Sequence, residues 1–558
     1  MTSSTNPLRP VRPLVPSASA TGPRLAEPSP WRRGPCGGRL APVAGVEERA
    51  GLRLGTPAGR WVLLATVLAS GVAMLDATVV NVALPALAED LDAGLAGLQW
   101  TVNGYTLTLA SLILLGGSLG DRLGRRRVLV AGAVWFGVAS VLCALAPTVE
   151  ALVVARALQG VGGALLTPGS LAIIAASFHP DDRARAVGAW SGLGGVAGAA
   201  GPFLGGWLVG TVGWRGVFLV NVPLVAVVVA VALRHVPETR DPGADGRLDV
   251  PGAVLGALGL GGVTYALVAA GEQGWSPAVA ASGAAGALAL AAFVVAERRG
   301  RSPMVPPGLF ASRQFTATNA ATAAVYAALG AVFFLLVLQL QVVSGFSPLA
   351  AGTALLPVTA VMLVGSARAG ALAQRTGPRL PMTAGPLVAA GGLLLLLRVG
   401  PGAGWVGDVL PAALLLGLGL TLTVAPLTAA VLAAAPAEHA GVASGVNNAV
   451  ARAAQLLAVA VVPLAAGLGE GAYGDPARFD AGFRVAMVLS AGLMVLGALV
   501  SAAFVRGGAA GAPLPAPAGP APAEQPAPVP SAPVPSPRSH CAVDGPPLLE
   551  REERPSRP

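Results

Sequence analysis

Gly117-Ser-Leu-Gly-Asp121-Arg122-Leu-Gly124-Arg125-Arg126-Arg127 is a hydrophilic run between two long apolar stretches, and its reading decides the fold. Its glycines Gly117 and Gly124 permit close helix approach and a sharp turn. Asp121 can accept hydrogen bonds from a neighbouring helix N-terminus, or pair with an arginine, in one arrangement of the helices only. A purely topological anchor would need arginines alone, so the acid points to a gate. The run has a second copy: Gly370-Ala-Leu-Ala-Gln374-Arg375-Thr-Gly377-Pro-Arg379 repeats Gly, Leu, Arg, Gly and Arg at the same offsets. Related halves of this kind are how transporters place a site between two bundles that rock. Gln374 stands where the first copy has its acid, so the second gate is expected to be weaker.

Working outward, the sequence reads as an all-α integral membrane protein. Of 558 residues 54% are apolar and only 11% charged, with a mean hydropathy of +0.69. A soluble domain carries about 25% charged residues, so most of this chain must face lipid. About 20 apolar residues in a helix cross a hydrocarbon core of about 30 Å. Fourteen runs qualify: 61–86, 98–119, 128–146, 151–176, 186–210, 216–235 and 250–271, then 277–296, 315–342, 349–373, 380–399, 408–434, 441–468 and 482–505. An even number puts both termini on one side. Fifteen arginines, among them Arg122, Arg183, Arg234, Arg298 and Arg375, fall in the connections on that side, against four (Arg215, Arg398, Arg478, Arg484) opposite. The positive-inside rule therefore places both termini in the cytoplasm, and a bacterial plasma (inner) membrane is the expected location. The expected organisation is a disordered basic tail (1–60), a six-helix bundle (61–235), an inserted helix pair with its flanking loops (236–314), a second six-helix bundle (315–506) and a Pro/Ala-rich disordered tail (507–558).

Composition also removes whole classes of chemistry. All 36 basic residues are arginine, so neither a Walker-type phosphate loop nor a Schiff-base amine can be built on this chain. Four histidines and three cysteines, widely dispersed, suggest neither a metal site nor a disulfide framework. The net charge of +9 divides between the N-terminal tail and short loops, which argues against nucleic acid as a partner. A non-enzyme without cofactor, drawing on an ion gradient and acting on a small molecule within the lipid bilayer, is what remains. A membrane sensor would want a soluble output domain, and none is legible.

The loop motif closely resembles the signature of the major facilitator superfamily, and further segments are similar to its 14-helix drug:proton antiporter branch, the EmrB/QacA type. They are Leu75-Asp76-Ala-Thr78-Val-Val-Asn81-Val-Ala-Leu84-Pro85 and Arg156-Ala-Leu-Gln159-Gly160. Gly201-Pro202-Phe-Leu-Gly205-Gly206 and Trp214-Arg215-Gly-Val-Phe218-Leu-Val-Asn221-Val-Pro223 also match, as does the run from Leu338-Gln339 to Gly345-Phe-Ser347-Pro348. The resemblance covers about residues 60–505. It implies a major facilitator fold and proton-coupled export of hydrophobic, often cationic drugs or antibiotics by alternating access, in a protein functional as a monomer. Import or export of a nutrient or metabolite within the same superfamily is the alternative.

Physical reading assigns the residues. An ionisable group inside the membrane is costly and by default functional. At 1.5 Å per residue, Asp76 lies about 13 Å below the outer end of its span and Arg156 about 8 Å below the outer start of its own. We expect Asp76 to carry the exchanged proton, with Arg156 tuning its pKa downward or taking over as counter-ion. Gly117, Asp121, Arg122, Gly124, Arg125 and Arg126 form the gating loop. Gly201, Pro202, Gly205 and Gly206 form a seal and pivot, continued by small-residue steps at Gly188/Gly192, Gly194/Gly198 and Gly206/Gly210. The polar stripe Ser444, Asn448, Arg452 and Gln455, spaced 4, 4 and 3, should avoid lipid. With Asn81, Tyr105, Gln159 and Gln339, the residues Asn448, Arg452 and Gln455 are the expected substrate path.

Overall fold

The computed structural model describes residues 51–240, 248–300, 303–435, 440–469 and 471–507. The greater part of both expected tails, 1–50 and 508–558, lies outside the described residues. Fourteen helices among the described residues are long and apolar enough to cross a membrane. The first six are α1 (Pro57–Asp90), α2 (Leu95–Leu123), α3 (Arg125–Ala144), α4 (Val149–Ser177), α5 (Pro180–Val212) and α6 (Trp214–His235). Two inserted helices follow, α7 (Val250–Gln273) and α8 (Pro277–Arg299). The last six are α9 (Arg313–Val343), α10 (Pro348–Thr376), α11 (Arg379–Arg398), α12 (Trp405–Ala433), α13 (Gly441–Ala465) and α14 (Pro476–Phe504).

Local chemistry sets these boundaries. Thr56, Asp249, Ser276, Ser347 and Asp475 each accept a hydrogen bond from a first-turn backbone N–H, with a proline at the first or second helical position. A capping oxygen satisfies an orphan donor, and proline adds none. Gly124 ends α2 at φ 112° and Gly377 ends α10 at φ 80°, a region that favours glycine. The two copies of the loop therefore share backbone geometry as well as sequence.

Helix pairing repeats in the same way. In the first bundle α1 packs along α5, α2 and α3 along α4, and α3 against α6. In the second, α9 packs along α13, α10 and α11 along α12, and α11 against α14. The inserted pair packs on itself, and α7 also touches α2 and α13, beside the seam between bundles. Residues 51–56, which fall in the stretch expected as tail, are strapped to the α4–α5 turn. Leu52 donates to the Ser177 carbonyl at 2.8 Å and accepts from the His179 amide at 3.1 Å.

The apolar core shows where the two bundles meet. At the end opposite the arginine loops (the far end), one continuous cluster crosses both bundles, from Leu84 and Phe218 to Leu335 and Phe483. At the loop end it divides: Phe136, Ile173 and Val228 belong to the first bundle's own cluster, Phe315, Met382 and Leu427 to the second's. Two proline-freed carbonyls hold this arrangement. Pro202 has no N–H for the Gly198 carbonyl, which instead accepts from Thr78 Oγ1 at 3.0 Å, fixing α5 to α1. Pro463 likewise frees the Val459 carbonyl, and Gln99 Nε2 donates to it across the seam at 2.7 Å.

Candidate functional site

Asp76 is fully buried at the mid-length of α1, and three donors meet its carboxylate. Arg156 Nη1 lies 2.6 Å from Oδ2, while Gln159 Nε2 (2.9 Å) and Asn221 Nδ2 (2.8 Å) both reach Oδ1. Arg156, 1% exposed, also donates from Nε to the Thr101 carbonyl at 3.1 Å and from Nη1 to Gln159 Oε1 at 2.6 Å. Its guanidinium carbon sits 4.4 Å from the centre of the Tyr105 ring and 5.8 Å from that of Phe218. Ser140 Oγ accepts from Gln159 at 2.9 Å, and the Cys143 thiol meets Gln159 Oε1 at 3.6 Å. The knot is thus built from α1, α2, α3, α4 and α6. Close approach of α2 and α4 makes it possible: a Cβ on Gly160 would collide with the Tyr105 carbonyl and Thr108 Oγ1.

The chemistry follows from this valence count. A carboxylate has about four lone-pair directions, and three are occupied here, which leaves one on Oδ2 for a proton. Protonating Asp76 would leave the Arg156 guanidinium buried without its anion, which low-dielectric surroundings make costly. Charge change at Asp76 is therefore tied mechanically to the packing of α1 on α4 and α6.

At the loop end, Asp121 accepts from Arg125 Nε at 2.8 Å and from Nη2 at 2.7 Å, an i,i+4 pair across the turn. The loop has a further partner in Glu238, which follows α6. Its Oε1 accepts from the Arg126 amide at 3.1 Å, and Oε2 lies 3.7 Å from Arg126 Nε and 3.8 Å from Arg127 Nε. Glu238 therefore places an anion at the positive N-terminus of α3. A Cβ on Gly124 would fall 2.6 Å from Glu238 Oε1, a second reason for glycine there.

Gly201-Pro202-x-x-Gly205-Gly206 lies at the far end and has two tight faces. Cβ atoms on Gly201 and Gly205 would strike Thr78 and the Val79 carbonyl of α1, the latter at 2.8 Å. One on Gly206 would lie 2.7 Å from Leu349 Cα of α10, and one on Gly352 would collide with the Pro202 carbonyl. The expectation of tight packing all along α5 needs correction: nothing lies within 4 Å of a Cβ at Gly188, Gly192 or Gly210. Gly188 and Gly192 occupy the loop-end half, where the core has divided, and Gly210 lies beyond the contact with α10.

The residues expected along a substrate path are spread over several environments. Tyr105 and Gln159 are fully buried in the Asp76 knot. Gln339 is also fully buried, at the far end of α9, donating to Asp480 Oδ1 (2.6 Å) and to the Val399 carbonyl (3.0 Å). These three face no open space in this conformation. Asn81 is half-buried and bonds only weakly to its own helix, at 3.5 Å. On α13, Asn448 is exposed, while Arg452 donates to Gln455 at 3.2 Å and lies where its charge acts on Tyr105 and Tyr326. The stripe thus borders the space between the bundles. A separate cavity of about 510 Å³ opens at the far end, lined by Glu89, Asp92 and Glu272. Tyr473 joins its wall, and burial, with Glu89 adding to it, pushes that phenol up to about 12.

Asn221, Ser140, Thr101 and Glu238 carry functional contacts that sequence reasoning did not assign. Asn221 stood inside a quoted motif, and as an amide in an apolar span it could have been flagged by its desolvation cost alone. Ser140 could not: a lone serine in a membrane helix usually bonds back to its own turn, as Ser140 also does to the Phe136 carbonyl at 2.8 Å.

Comparison with known proteins agrees with this architecture. A family model described as Major Facilitator Superfamily matches residues 66–459. The chain is 34% identical to the puromycin resistance protein pur8 of Streptomyces alboniger, over 83% of this chain and 95% of that one. It is 36% identical to the tetracenomycin C resistance and export protein of Streptomyces glaucescens, over 72% and 74%. Among solved structures, a bacterial homologue of the human lysosomal transporter Spinster, inward-facing and unoccupied, superposes with a TM-score of 0.56 at 20% identity, covering 81% of this chain and 98% of that one. The repeated bundles, the inserted helix pair and these matches place the chain in the major facilitator superfamily, as a multi-pass membrane transporter and not an enzyme.

Proposed function

We propose that this transporter exports a hydrophobic or cationic drug or antibiotic in exchange for protons, by alternating access and as a monomer. The observation that carries the reading is the Asp76 carboxylate, fully buried among three donors from α4 and α6. Proton uptake there would leave the buried Arg156 guanidinium without its anion, and so couples charge to helix packing. Arg156 is the counter-ion that holds the unprotonated state. The loop Gly117–Arg126 ties α2 to α3 at one end, and Gly201-Pro202-Phe-Leu-Gly205-Gly206 closes the other against α10. The puromycin and tetracenomycin C resistance proteins, which match along most of the chain, support the substrate class, and the export role of the second supports the direction.

The energy source is the proton gradient, with no bound cofactor. A chain without lysine cannot form a Walker-type site for ATP. The arginine asymmetry supports cytoplasmic termini, so the loop end faces the cytoplasm and the divided core opens inward. The bacterial sources of the relatives support an inner-membrane location. The test is expression in an efflux-deficient host with cationic, neutral and anionic toxicants. At least one should become better tolerated, its cellular level should rise again when the proton gradient is dissipated, and Asp76→Asn should abolish the protection. Protection that survives both treatments contradicts the reading.

A further inference from the structure

The gating loop leaves cations unused. Among the described residues the side chains of Arg122 and Arg240 make no hydrogen bond or ion pair, and the Arg127 side chain is 66% exposed with a single 3.8 Å approach to Glu238. That one carboxylate is already shared with Arg126. Arg122, Arg127 and Arg240 all line one cavity of about 420 Å³ at the loop end, and its other walls are apolar. It exists because α2 and α3 each lie along α4 more than along one another, leaving a cleft floored by Leu165 of α4.

The order of polarity along the cleft is the informative feature. The arginines stand at the helix ends and in the connection after α6, where lipid headgroups lie. Leu119 is one turn inward of Arg122, and Ala131 lies about 6 Å inward of Arg127 at 1.5 Å per residue. A free phosphate would gain the cations and leave the apolar cleft empty, and a neutral lipid would do the reverse. An anionic amphiphile uses both, and basic clefts between helices at the membrane surface suit such headgroups. We propose that this cleft binds an anionic phospholipid, its phosphate on Arg122, Arg127 and Arg240 and an acyl chain along Leu119, Ala131 and Leu165. The lipid joins α2, α3 and the segment after α6 at the gate.

The test uses the purified full-length chain in dodecyl maltoside, with bound lipid counted by native mass spectrometry. Dioleoyl phosphatidylglycerol, dioleoyl phosphatidylcholine and inorganic phosphate are titrated separately. Phosphatidylglycerol should bind at least tenfold more tightly than phosphatidylcholine. Removal of one surface arginine by Arg240→Gln should weaken it about fivefold. Ala131→Trp, which fills the cleft and keeps every arginine, should also displace it. Both sites are exposed, so both variants should fold, and the wild-type preference stands as a measurement independent of them. Equal retention of the two lipids overturns the proposal, as does phosphatidylglycerol binding unchanged in both variants. Displacement of the lipid by inorganic phosphate at equal concentration would show a bare anion site and overturn it too.

Discussion

Asp76→Asn should open the polar knot, and Cys143 reports the event. The substitution keeps the size of the side chain but removes the anion that faces Arg156 at 2.6 Å. It also replaces an acceptor with an N–H₂ that must point at one of the donors now on Asp76. Leaving a buried guanidinium without its partner costs about 3–5 kcal/mol. One decade of equilibrium constant is about 1.4 kcal/mol, so the open population should rise about a hundredfold or more. Cys143 is buried, and its thiol touches Gln159 within the knot. In a background carrying Cys36→Ser and Cys541→Ser it is the one remaining thiol. Its rate of labelling by a maleimide, with excess reagent and fast reclosure, follows the open population. The variant should label about a hundredfold faster than the parent. Combining Asp76→Asn with Arg156→Gln should restore part of the protection, because the uncompensated charge is gone, with a coupling of about 2 kcal/mol. Labelling that is unchanged by Asp76→Asn, or strictly additive effects in the double variant, would refute the reasoning.

Three further outcomes follow from the contacts. Glu238→Gln removes the anion at the start of α3 and should lower thermal stability by about 1 kcal/mol, seen as a lower melting midpoint in detergent, with a smaller loss at high salt. Gly206→Val sets a branched side chain against Leu349 of α10, so the far end should no longer close. Spin labels at the exposed positions Leu145 and Val406 should then sit farther apart, and transport should fall at least tenfold. Gln99→Leu strands the carbonyl that Pro463 frees, a loss of about 1–3 kcal/mol at the seam. It should shift the same label pair towards the longer distance without loss of folded protein, as read by gel filtration.

What the sequence disclosed and what it hid divide along physical lines. Helix number, the repeat and the loop turns were legible because apolar length, capping residues and glycine are local signals. Asp76 and Arg156 stood out because charge in an apolar span is expensive, and the structure brings the two together. Helices α1 and α14 start at Pro57 and Pro476, before their apolar runs at 61 and 482, because caps and prolines extend helices beyond the apolar stretch into polar residues. The far-end use of Gly201, Gly205 and Gly206, against the open surroundings of Gly188 and Gly192, depends on which half of α5 meets α10. Spacing alone cannot carry that. Glu238 was invisible for the same reason: a glutamate after a membrane helix reads as surface until the α3 N-terminus is seen beside it. Gln339 shows the converse, a polar residue in a recognisable motif whose partners, Asp480 and the Val399 carbonyl, belong to distant segments.

Proton coupling through Asp76 is the central claim, and flux in proteoliposomes addresses it most directly. The purified chain is reconstituted with a trapped pH indicator, a proton gradient is imposed, and uptake of a fluorescent cationic dye is followed together with proton movement. The wild type should accumulate dye only when protons can flow the opposite way, with each dye pulse releasing protons. Asp76→Asn should still bind dye yet show neither gradient-driven accumulation nor proton release. Gradient-driven accumulation that persists in Asp76→Asn, with the same proton release, would contradict the account.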